Sequence, residues 1–214
     1  MYRFYILFAS LSTIIGVSCK GDSEKKEGNK QDEIIEEVKN QFDDKKPSTS
    51  NSTSTTNFTL VALEYIVKDF MSCKAQAVGR NDCRSRISKV ISEKHNLSEF
   101  KDAKLGYVIY DSIRPIIERS NDWKSIGTAI DQDVLDHALE HTNKGGLSLV
   151  IDTSTTYGHV VMLLSGEAKK SNSWGLKLPK VLSLVNYKPE KSFHDKSLSY
   201  AMNKSEDLQV YIRK

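Results

Sequence analysis

Two groups of side chains in this sequence have the types and spacing for chemistry. The first joins Cys83, in NDCRSRISKV, to His159, in YGHVVMLLSG. A thiol is mostly protonated at neutral pH, but a helix N-terminus and a nearby imidazole lower its pKa and make it nucleophilic. Asn81-Asp82 offer N-caps that would put Cys83 in a first helical turn, while His159 opens an apolar run. A thiolate facing an imidazole is the arrangement for acyl transfer. The second group is His137-Ala138-Leu139-Glu140-His141, an H-x-x-E-H pattern. Two imidazoles four residues apart share one helical face and can hold zinc, with the glutamate activating water. Each group also has a plain structural reading. Cys83 would be bonded to Cys73, His159 would be a satisfied histidine at a strand edge, and His137 and His141 would face solvent on a helix burying Val134, Leu135, Ala138 and Leu139. A third zinc ligand would have to come from Glu167, Glu190 or Glu206, all in loop-like stretches, so no metal or other cofactor is expected.

The elements that must position these groups follow from hydropathy. Leu60, Leu63, Ile66, Val67 and Phe70 recur at helical spacing, as do Ile87, Val90 and Ile91 after Cys83. Further helices are predicted over 105–119, with a kink at Pro115, and over 125–143, stopped by Lys144-Gly145-Gly146. The pattern then changes: GLSLVID (146–152), HVVMLLSG (159–166) and LQVYIRK (208–214) read as strands separated by TSTTYG and SNSWG turns. Helices first and an antiparallel sheet afterwards make an α+β domain. Ser173 and Ser199 have no adjacent base and read as surface or turn residues.

Upstream of the domain, Arg3 precedes an apolar run over 4–17, which has the form of a secretory signal. A span needs about 20 apolar residues, and this run is shorter and followed by KGDSEKKEGNKQDE. The stretch IIGVSC resembles the lipobox of bacterial lipoproteins, with Gly16 where Leu is usual. That resemblance implies cleavage before Cys19, lipidation of Cys19 and localisation in a bacterial cell envelope, at the outer membrane in a Gram-negative cell. The organisation expected is a signal peptide at 1–18, a polar tether at 19–57 too poor in apolar residues to fold, and a single domain at 58–214. Lys and Arg total 31 against 28 Asp and Glu, a balance that argues against nucleic acid as a partner.

The segment YGHVVMLLSGEAKKSNSWGLKLPKV, preceded by GGLSLVID and followed by KSLSYAM and VYIRK, resembles the C-terminal part of papain-fold cell-wall amidases of the NlpC-like and CHAP kind. The resemblance covers roughly the last 70 residues. It implies a papain-like fold, with His159 as general base and Cys83 as nucleophile. It leaves the residue orienting the imidazole between Glu167 and Asn172, and makes Trp174, with Tyr200, a candidate lining of a substrate groove. The activity implied is hydrolysis of peptidoglycan peptide bonds: attack by Cys83, oxyanion stabilisation by backbone N–H groups, and protonation of the leaving amine by His159. The alternatives are a non-catalytic lipoprotein that binds cell-wall peptide or glycan through the same groove, and a zinc peptidase built on His137, Glu140 and His141.

Overall fold

The computed structural model describes residues 52–79, 81–156 and 158–214. These fall in one compact unit, Asn51–Lys214. The secretory segment, Cys19 and the tether up to residue 51 lie outside the described residues. No helix among the described residues is long and apolar enough to cross a membrane.

Helix α1 spans Ser52–Gln76, so it takes up the last residues of the stretch expected to be tether. Extending a formed helix fixes one residue per hydrogen bond gained, so an apolar nucleus can carry poor helix formers upstream of it. Leu63, Val67 and Phe70 form its buried stripe. Helix α2, Arg86–His95, buries Ile87 and Ile91 and ends at Asn96, whose φ of 51° and N–H bond to the Ser92 carbonyl make a left-handed cap.

The helix expected over 105–119 is mostly something else. A short hairpin pairs β1 (Lys101–Asp102) with β2 (Gly106–Tyr107), a 3-10 turn follows at Tyr110–Ser112, and only Ile113–Glu118 is helix α3. Pro115 stands in the first turn of α3, where its missing N–H is not needed. The helix expected over 125–143 likewise begins late. Trp123–Thr128 is strand β3, and α4 is Gln132–Asn143, capped by the Asp131 side chain accepting from the Asp133 N–H at 2.9 Å. Gly145, at φ 89°, ends α4 where the sequence places its stop.

The remaining strands are β4 (Ser148–Asp152), β5 (Val160–Leu163), the small pair β6 (Lys169–Lys170) and β7 (Lys177–Leu178), β8 (Val181–Ser183) and β9 (Leu208–Arg213). A four-residue helix α5, Leu198–Ala201, precedes β9. The main sheet is antiparallel with order β3-β9-β4-β5-β8. The α+β class and antiparallel sheet therefore stand as expected from the sequence.

Alternation along the strands divides the core in two. Leu149, Ile151, Val160, Met162, Leu182 and Tyr211 pack with α1, α2 and α3. Val150, Val161, Leu163, Val181, Leu208 and Val210 pack on the opposite face with α4 and α5. The result is three layers, helix, sheet and helix, which explains why β4, β5 and β8 are apolar at consecutive rather than alternate positions.

Candidate functional site

Cys83 forms a disulfide with Cys73, ten residues away in sequence, with Cα atoms 6.0 Å apart. It is also not in a helical turn. Its φ is 65°, and α2 begins at Arg86. Asp82, expected to cap forwards, turns back and accepts from the N–H groups of Val78 at 3.0 Å and Gly79 at 2.7 Å. Those backbone bonds hold its carboxyl below the usual carboxylate range. The helix N-terminus expected to activate the Cys83 thiol is therefore absent, and its sulfur is not free. An open cleft of about 340 Å³ lies over the disulfide, lined by Asp69, Ser72, Gln76 and Arg86, with Arg86 ion-paired to Asp69 at 3.2 Å.

His159 extends the β4–β5 ladder by one bond, the Asp152 N–H donating to its carbonyl at 3.0 Å. Gly158 must be glycine, because a methyl there would overlap the Asp152 carbonyl oxygen. The His159 Nε2 shares a 2.8 Å hydrogen bond with the Ser183 hydroxyl, which is fully buried. Burial pushes the imidazole down from its ordinary 6.5 to about 4, against the opposing pull of the Asp152 carboxylate. Such a ring is neutral at physiological pH and is a weak base.

The strand parity places His159 and Cys83 on opposite sides of the sheet. His159 alternates with Val160, and Ser183 with Leu182 and Leu184, all of which belong to the cluster on the α1–α3 face together with Cys83. His159 and Ser183 therefore point to the α4 face. The thiol–imidazole pair expected from the sequence is not assembled, because the main sheet lies between its members.

The other expected residues are likewise dispersed. Glu167 and Asn172 are exposed. Neither hydrogen-bonds His159, whose acidic neighbour is Asp152. That neighbour was within reach of the sequence, since a short link between two antiparallel runs brings 152 opposite 159. Trp174 is 5% exposed and belongs to the core on the α4 face, so it lines no groove. On α4, His137 and Glu140 are exposed, and Glu140 pairs with Lys144 at 2.6 Å. His141 lies against Gly146, where a methyl would strike its ring. Among the described residues no three His, Cys, Asp or Glu side chains converge as a metal site would require.

Two groupings escape the sequence patterns. Arg84 and Asp111 form an ion pair with side chains only 7% and 9% exposed. Arg84 also donates to the Asn81 side chain at 3.0 Å and stacks on the Tyr110 ring at 4.9 Å. The second is a groove of about 340 Å³ lined by Lys169, Lys170, Lys180, Lys196 and Tyr200, with Asp195 the one acid in its wall. No lysine of this groove takes part in an ion pair among the described residues. The lysines are scattered along the sequence and meet only because the β6–β7 hairpin folds beside the bridge between Lys180 and Ser197.

No protein-family model matches the chain, and no curated protein matches it significantly.

The disulfide gives a direct expectation. Closing a loop of this length removes conformational freedom from the unfolded chain worth about 2–3 kcal/mol. The Cys73→Ala/Cys83→Ala variant is expected to lose that much in urea unfolding. In the native protein iodoacetamide should modify neither cysteine until a reductant is added, which mass spectrometry reads directly.

Proposed function

We propose that this chain is a lipid-anchored envelope protein whose folded domain binds the cell wall and does not cleave it. The observation that carries this reading is the Cys73–Cys83 bond, which leaves the nucleophile expected from the sequence without a thiolate. The placement of His159 beyond the sheet supports it, because even a reduced Cys83 would not have that imidazole within reach. Within the α+β class, the papain-like architecture suggested by the Gly158-His159 segment would on this reading serve as a scaffold, with its catalytic pair missing.

Anchoring rests on the apolar run over 4–17 and on Cys19. A disulfide in the domain is in keeping with an oxidising compartment outside the cytoplasm, so it supports the secretory reading independently of the N-terminus. The membrane partner would be engaged through lipid on Cys19, and the wall through the domain.

The test combines two measurements on the purified protein. Sedimentation with isolated sacculi is expected to carry the protein into the pellet. Mass spectrometry of peptidoglycan fragments incubated with it is expected to show no new products. Release of products by the native protein but not by Cys83→Ala would overturn the proposal and restore a cysteine hydrolase.

A further inference from the structure

We propose that the lysine groove between the β6–β7 hairpin and the segment around α5 is a binding site for an acidic saccharide, a sugar bearing carboxylates. The inference rests on the wall-binding reading and names the chemistry of its ligand. Lys169, Lys170, Lys180 and Lys196 bring four ammonium groups to one groove against Asp195 alone. Like charges that share one groove repel one another, and no ion pair among the described residues offsets them. An anionic ligand would relieve that repulsion and gain charge-assisted hydrogen bonds.

Two features favour a sugar over a bare anion or a bilayer. Tyr200 lines the groove at 71% exposure, and its ring could stack on the C–H face of a pyranose ring. The Lys196 ammonium sits 5.8 Å from the Tyr200 ring centre and 5.5 Å from that of Phe193, so it is held beside the stacking platform. The site is concave, whereas a surface that docks on a membrane presents apolar side chains to the acyl boundary. Tyr200 is the one large exposed hydrophobic among the groove residues.

The probe is a fluorescent oligogalacturonate tetramer, with maltotetraose as the uncharged control, phosphatidylglycerol vesicles as the membrane control, and sacculi measured in parallel. The native protein is expected to bind the oligogalacturonate and not maltotetraose, more weakly as salt rises. Lys170→Gln/Lys180→Gln removes two of the four ammonium groups and should weaken binding about ten-fold. Tyr200→Ala should weaken it about five-fold. Equal binding of both tetramers, or undiminished binding by the lysine variant, overturns the inference. So does binding to the vesicles alone. Sacculi bound equally by native protein and lysine variant would sink the groove while leaving wall binding intact. Lysine-dependent binding of the oligogalacturonate without any binding of sacculi would do the opposite.

Discussion

Asp111→Ala is expected to cost about 3–5 kcal/mol of stability, because it strands the Arg84 guanidinium inside the fold. Both side chains of the pair are more than nine-tenths buried. Arg84 would keep its bond to Asn81 and its contact with the Tyr110 ring, but neither carries the opposite charge. Nor does Tyr110 supply one: its hydroxyl is pushed up to about 12 in the native protein, first of all by burial, which the substitution leaves in place. The pair also sits at a junction: the Tyr110 N–H donates to the Arg84 carbonyl at 3.0 Å, tying the disulfide loop to the 3-10 turn before α3. The contrast that isolates the charge effect is Arg84→Met/Asp111→Leu, which removes both ions and should unfold within about 1 kcal/mol of the native protein or above it. Urea midpoints at pH 7.5 measure both variants. A loss below about 1 kcal/mol in Asp111→Ala would mean that Arg84 reaches water and that the pair is not an anchor of this junction.

Such a pair has no signature in the sequence, because its partners lie 27 residues apart and neither stands in a motif. The contrast with the strands is instructive. The strands within 146–152 and 208–214 bury residues at consecutive positions, so their apolar runs read directly as strand. Strand β3 is an edge, with Lys124 and Ser125 exposed and a bulge between Ser125 and Gly127, so WKSIGT carries too little hydropathy to be told from a helix start. Apolar periodicity also cannot assign a strand's two faces to particular helices. Cys83 and His159 are each in an informative local sequence, but whether they meet depends on which face α1 to α3 cover, and that is decided by packing across the whole sheet. The disulfide was legible as an expectation from two cysteines ten residues apart; the left-handed backbone at Cys83 was not, because Asn and Asp, rather than Cys, are the usual non-glycine residues in that region.

The burial of His159 has a consequence for acid stability that can be isolated from other groups. In the unfolded chain its imidazole takes a proton near pH 6.5, and in the folded protein only near 4. Between those values the unfolded state binds more protons, so stability is fully present above about pH 6.5 and is lost as the pH falls, the loss being complete below about 4. At 1.36 kcal/mol per pKa unit the interval corresponds to about 3 kcal/mol, most of it already lost at pH 4.5. His95, also lowered to about 4 by burial and by the charges of Lys94, Arg213 and His141, adds in the same direction but by less, since it is only partly buried. The groups facing His159 are the Ser183 hydroxyl and the Asp152 carboxylate, and the latter favours protonation without overcoming burial. Carboxylates held low in the fold, such as Asp82 and Asp102 by backbone N–H groups, lose their contribution only as pH falls below the unfolded carboxylate range, so they leave the interval from 7.5 to 4.5 to the histidines. Urea midpoints across that interval should fall steeply for the native protein and far less for His159→Gln, whose amide can still bond Ser183 but cannot titrate. A midpoint that stays level in the native protein, or a slope unchanged in His159→Gln, would place the imidazole in water and reopen its use as a base.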